Sequence, residues 1–170
     1  MMRYYIFIFL LISQWVLAQR NLAPTDRFTI SGQIKKTVQY TWQQLDSFPK
    51  VQLKNRIIYN HKGEAKDTLT HLRGVSLKTV LEKVVYNYEK PRELNEFYFV
   101  FEASDGYKVV FSWNEIYNNP SGNGFYFVTE MNQKPIHDLS QRILLLAQDD
   151  KQTGRRYIKS LEKIEVKRAQ

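Results

Sequence analysis

A chain of 170 residues without a single cysteine is long enough to bury one full hydrophobic core, but it has no disulfide, no thiolate nucleophile and no Cys-type metal site. Its formal charge of +8 comes from 25 Lys and Arg set against 17 Asp and Glu; they are scattered along the chain, which gives general attraction to anions with nucleic acid one option among several, and the export expected from the first residues makes nucleic acid a poor partner. Aromatic residues make up 14% of the chain, but they fall in apolar runs such as Phe97-Tyr98-Phe99 and Phe125-Tyr126-Phe127 that need burial, so a stacking platform for single strands is not expected.

Met1-Met2-Arg3 followed by the apolar run Tyr4 to Leu17 and the small-residue pattern ending at Ala18 reads as a secretory signal cleaved after Ala18. The rival reading is a retained anchor, which would need roughly 20 apolar residues and a positive flank, here Arg20. Cleavage leaves residues 19 to 170 as a single domain of charge +7, periplasmic or secreted, with no remaining membrane span.

After a flexible lead, Phe28-Thr29-Ile30 runs into Ser31-Gly32 as a strand with a Gly turn or bulge. Val38 and Tyr40 continue the extended structure. Thr41-Trp42-Gln43-Gln44 has the form of a capping box, which predicts a short helix stopped by Pro49. Val51 to Tyr59 reads as extended, with Val51, Leu53 and Ile57 on one face, and Asn60 to Leu72 as a polar, irregular loop. Ser76 begins the strongest helical pattern: Leu77, Val80, Leu81, Val84, Val85 and Tyr88 share one stripe at the helical period. Phe97 to Ala103, nearly all apolar, reads as a central strand buried on both faces.

Asp105-Gly106 then turns the chain into a paired strand from Val109 to Phe111. Ser112-Trp113-Asn114-Glu115 is a second capping box, and Asn119 to Gly124 is a loop. Phe125 to Thr129, Ile143 to Ala147 and the alternating Leu161 to Val166 close the pattern. Many short strands with two or three short helices make an α+β domain on a mostly antiparallel sheet or partial barrel.

The order of these pieces resembles the oxidoreductase molybdopterin-binding domain, the sulfite-oxidase-like fold. The residues that carry the likeness are Phe28-Thr29-Ile30-Ser31-Gly32, Trp42-Gln43-Gln44-Leu45, the Leu72-Arg73-Gly74-Val75-Ser76-Leu77 helix entry, the Ser104-Asp105-Gly106-Tyr107 corner, and Gly154-Arg155-Arg156-Tyr157-Ile158-Lys159 leading to the last strand. In catalytic members of that family a cysteine ahead of the Gly-Val helix binds molybdenum. Here Arg56 to Leu72 contains Tyr59, Asn60, His61 and His71 but no Cys, so a soft thiolate ligand is missing and the family's activity is not carried over.

What the resemblance does imply is a binding site for an anion or a pterin phosphate at Gly154, Arg156 and Lys159, beside Asp105, Gly106 and Tyr107. No catalytic residue and no metal ligand is expected, and no cofactor, with molybdopterin the one the resemblance allows. The expected partner is an anionic small molecule or an envelope protein. The alternative is a molybdopterin-dependent oxidoreductase that replaces the missing ligand with Tyr59 or a loop histidine. His61, His71 and His137 have no recognised ligand spacing and read as surface histidines. Asp105 reads as a turn former, and no P-loop, dinucleotide or nucleophile-elbow motif is present.

Overall fold

The computed structural model describes residues 22 to 169; the signal reading of residues 1 to 18 lies outside them. Among the described residues the strands are β1 (Arg27–Gly32), β2 (Val38–Thr41), β3 (Val51–Gln52), β4 (Arg56–Tyr59), β5 (Ala65–Leu69), β6 (Arg73–Ser76), β7 (Phe97–Ala103), β8 (Lys108–Ser112), β9 (Phe125–Met131), β10 (Lys134–Pro135), β11 (Leu144–Ala147) and β12 (Leu161–Arg168). The short helices α1 (Trp42–Ser47), α2 (Leu77–Leu81) and α3 (Trp113–Tyr117) are set among them. The fold is α+β and mostly antiparallel, and among the described residues no sheet closes into a barrel.

One sheet has the order β2-β1-β12-β7-β8, the second β10-β9-β6-β3 with β11 also on β9, and β4 and β5 form a separate hairpin. β1 and β12 run parallel. The larger core lies between the two sheets and holds Phe28, Phe99, Phe101 and Ile164 from the first against Val75, Phe125, Phe127 and Leu145 from the second. Phe28 and Phe127 stack across it at 5.2 Å between centroids. A smaller core sits on the far side of the second sheet, where Val128, Leu144 and Leu146 meet Leu53, Ile58, Leu69 and Tyr157. The molecule is therefore layered: sheet, core, sheet, core, hairpin. β11 is buried along its whole length because its alternate residues face the two cores.

Both-face burial was expected of Phe97 to Ala103 and is found in β11 instead. In β7, Phe97, Phe99, Phe101 and Ala103 are buried while Tyr98, Val100 and Glu102 are half-exposed, since among the described residues no second layer packs on the outer face of the first sheet.

The helical stripe is also corrected. α2 ends at Leu81, and Val85 and Tyr88 are 57% and 40% exposed. The backbone leaves the helix because Val85 C=O accepts from Lys35 N–H at 2.8 Å and Asn87 N–H donates to Gln33 C=O at 3.0 Å. This long-range pairing overrides the local period and sends Tyr86, outside the stripe, against Phe97 and Phe99.

Asn60 to Leu72 is not an irregular loop but the turn and the return strand, Ala65–Leu69, of a hairpin. The Asn60 carboxamide oxygen accepts from the N–H groups of Lys62 and Glu64 and closes the turn, with Gly63 at φ +81°. Val51, Leu53 and Ile57 were placed on one face; Leu53 is buried, but Val51 and Ile57 are exposed and Ile58 is buried in place of Ile57. The Leu53–Asn55 break between β3 and β4 changes the alternation.

The capping box at Thr41 forms in full. Gly32 sits at φ +101° where a Cβ would lie 2.1 Å from the Val166 carbonyl oxygen, so only glycine lets β1 end against β12. Gly32→Ala is expected to destabilise the fold by about 1–3 kcal/mol from the backbone conformation alone, read as a lower urea midpoint at unchanged m.

Candidate functional site

The site is built on the return segment from Gln148 to Ser160, which joins β11 to β12. Thr153, 2% exposed, donates its hydroxyl to Ile57 C=O at 2.7 Å and accepts from Tyr59 N–H at 3.0 Å. One buried side chain thus satisfies the outer backbone edge of β4. Gly154 follows where a Cβ would come within 2.4 Å of the Tyr59 carbonyl oxygen, so the segment and the hairpin touch backbone to backbone. From the other side Tyr107 donates its hydroxyl to Arg155 C=O at 2.5 Å, which ties the β7–β8 turn to the same point.

Arg156 turns inward. Its Nε and Nη2 meet the two Asp150 oxygens at 2.7 and 2.5 Å, Nη1 pairs with Glu115, and the guanidinium lies 4.9 and 5.2 Å from the Phe111 and Phe125 ring centroids. The Asp150 hydrogen bonds push its pKa above the usual arginine value against the opposing effect of burial, with Glu115 adding to the rise. Three of its five N–H donors go to two carboxylates, which offset its charge and fix the fork in place. Glu115 stays in α3 and Ser112 Oγ accepts from its N–H, but its carboxylate goes to Arg156 and does not complete the expected box.

Between these walls lies a cavity of about 490 Å³ bordered by Tyr59, His61, Lys66, Asp67, Tyr107, Gly154, Arg155, Tyr157 and Lys159, among others. Burial pushes the Tyr157 phenol up in pKa, and the nearby Asp67 charge adds to it; the hydroxyl stays protonated and points to Met131 Sδ at 3.5 Å. Lys159 Nζ lies 5.3 Å from the centre of the Tyr157 ring. Among the described residues neither Arg155 nor Lys159 has a carboxylate within 4.0 Å, whereas Lys66 pairs with Glu64 at 3.1 Å.

Of the residues expected from sequence, Tyr107, Gly154 and Lys159 come together on this cavity. Asp105 lies on an adjoining smaller hollow with Tyr107 and Lys159, where its carboxylate accepts from Tyr107 N–H at 2.9 Å, the turn chemistry of Asp before Gly. Gly106, at φ +80° with open space around it, is the tip of that turn. Arg156, the expected anion ligand, is not on the cavity wall; its neighbour Arg155, exposed, takes that place. Lys66 and Tyr157 also line the cavity without having been singled out. Adjacent residues on a tight turn project in different directions, and no spacing rule distinguishes Arg155 from Arg156 without the turn's backbone.

The three histidines do not converge: His61 is on the cavity, His71 sits beside Thr70, and His137 lies near Trp42. Among the described residues no group of three or more His, Asp or Glu is placed to hold a metal, and no helix is long and apolar enough to cross a membrane. The cavity's own donors, the Tyr59 phenol, His61 imidazole and Asp67 carboxylate, are hard or borderline ligands with no sulfur among them. They do not fit a molybdenum held by thiolate.

No family model and no curated protein matches the chain. Among solved structures it is similar to the sulfane dehydrogenase SoxCD from Paracoccus pantotrophus, with a TM-score of 0.58 and 14% identity over 82% of this chain and 37% of that one. At that identity the likeness is one of fold, a distant relation to an α+β domain; this chain spans little more than a third of that SoxCD chain.

Replacing Arg156 with Met leaves Asp150 and Glu115 facing each other and is expected to cost about 1–3 kcal/mol, the range for hydrogen bonds to charged groups, read as a fall in urea midpoint. Arg155→Met is expected to leave the midpoint within about 0.5 kcal/mol of wild type, as for surface substitutions.

Proposed function

We propose that this chain is an exported, non-catalytic binding module that takes an anionic small molecule in the cavity between the β4–β5 hairpin, the Asp105-Gly106-Tyr107 corner and the segment from Gly154 to Lys159. The observation that carries the reading is the division of labour between neighbours: Arg156 is paired with Asp150 and Glu115, while Arg155 and Lys159 border the cavity with no carboxylate within 4.0 Å among the described residues, although Asp67 lies on the same wall. Cations outnumber that one carboxylate on the cavity wall, and they attract an anion and reward it with charge-assisted hydrogen bonds. The rings of Tyr59, Tyr107 and Tyr157 on the same walls favour a ligand that also has a flat apolar part.

The second reading is a molybdopterin-dependent oxidoreductase without the usual cysteine, and what favours it is the presence of Tyr59 and His61 on the cavity wall. The two separate by metal analysis of protein purified from its own host. The binding module carries no stoichiometric molybdenum; stoichiometric molybdenum with an extractable pterin overturns it.

Calorimetric titration with phenyl phosphate and with inorganic phosphate tests the site itself. Phenyl phosphate is expected to bind more tightly than phosphate, and Arg155→Ala or Lys159→Ala to weaken it about tenfold each, the equivalent of roughly 1.4 kcal/mol. Affinity for both anions unchanged in the double variant would refute the assignment of these cations.

A further inference from the structure

β8 is the last strand of the first sheet and, among the described residues, is hydrogen-bonded to β7 alone. The hairpin decides which of its backbone groups are spent. Ala103 N–H donates to Tyr107 C=O at 2.9 Å, and the register continues as Glu102 opposite Lys108 and Phe101 opposite Val109. Antiparallel pairs alternate between bonded and non-bonded. Val109 and Phe111 therefore bond to β7, while Lys108 and Val110 turn their N–H and C=O groups outward, together with the N–H of Ser112. Side chains alternate in step: Val109 and Phe111 are buried, and Lys108, Val110 and Ser112 are exposed. Val110 is 55% exposed beside half-exposed Val100 and Tyr98 on β7.

Free edges are normally guarded by charges, prolines or bulges, and β5 is guarded in this way. It carries Lys66 and Asp67, a register shift, and a carboxylate at Asp67 that takes the N–H of Thr68. β8 has no proline and no register shift, and its one charge, Lys108, is held by Glu102 at 3.2 Å.

We propose that β8 pairs with β8 of a second copy of this chain, antiparallel about Val110, so that the two sheets become one across a two-fold axis. The strand is self-complementary in that arrangement. Val110 faces Val110 of the partner subunit as a bonded pair, Lys108 faces Ser112 of the partner subunit, and no like charges are opposed. That match selects a second copy over an unrelated strand. An edge of five residues buries less than the roughly 1,200 Å² of a stable complex, so the dimer is weak and concentration-dependent. It is independent of the cavity and of what binds there.

Because the chain has no cysteine, Val110→Cys provides a clean test. Bonded antiparallel pairs place their Cα atoms about 5.5 Å apart, within the span a disulfide bridges. Under oxidised glutathione this variant is expected to form a covalent dimer at least tenfold faster than Ile57→Cys, which is exposed at a guarded place. In sedimentation velocity from low to high micromolar protein, the wild-type coefficient rises with concentration. Val110→Lys, whose ammonium would face its own copy, stays monomeric with an unchanged melting temperature. Equal cross-linking of the two cysteine variants, a wild-type protein monomeric throughout, or association of Val110→Lys like wild type would each overturn the proposal.

Discussion

The arrangement of this protein's candidate site depends on the guanidinium of Arg156 being gripped by Asp150 and Glu115. A planar fork with two carboxylates and two aromatic rings around it has one geometry, and it joins the segment after β11 to the start of α3. With Arg156 fixed inward, Arg155 is left exposed, with its carbonyl accepting from Tyr107. Gly154 is pressed on the backbone of Tyr59, and Thr153 bridges Ile57 and Tyr59. Three segments distant in sequence, the β4–β5 hairpin, the β7–β8 turn and the return to β12, meet because of these few contacts. The cavity is the space they leave.

The two-core layering explains why such a site is possible without disulfides. Strands β9 and β11 send residues into both cores, so the centre of the second sheet is buried on both faces. The smaller core, with Ile58, Leu69 and Tyr157, holds the hairpin down by burial, at about 25 cal/mol per Å² of apolar surface. The outer side of the hairpin is then free to carry polar residues. The smaller core and the cavity share a wall, since Ile58 and Tyr157 are buried in that core and also border the cavity beside Tyr59 and Asn60.

Much of this was legible in the sequence. Thr41-Trp42-Gln43-Gln44 announced α1 through a local rule that the structure obeys. Asp105-Gly106 announced the β7–β8 turn, and the alternation of Leu161, Ile164 and Val166 announced β12. What was not legible depends on partners far along the chain. Val85 and Tyr88 continue the stripe of α2 perfectly well, and only the pairing of Lys35 and Gln33 with that segment shows why the helix stops. β5 was missed because four of its five residues are exposed and it therefore carries no apolar alternation. Arg156 was chosen from sequence as the cation of the Gly154 turn, whereas Arg155 is the one that borders the cavity; the two are chemically identical, and only Asp150 and Glu115 tell them apart.

The likeness to a sulfane dehydrogenase is one of fold alone; the proposal made for this chain is that its pocket, which has no thiolate to hold a soft metal, takes an anion at Arg155 and Lys159. Native mass spectrometry of the protein isolated from its own host tests this most directly. The account predicts a retained adduct, free of metal and anionic, that is lost when Arg155 and Lys159 are both replaced by alanine. An adduct with the isotope pattern of molybdenum, or one that survives that double replacement, would contradict it.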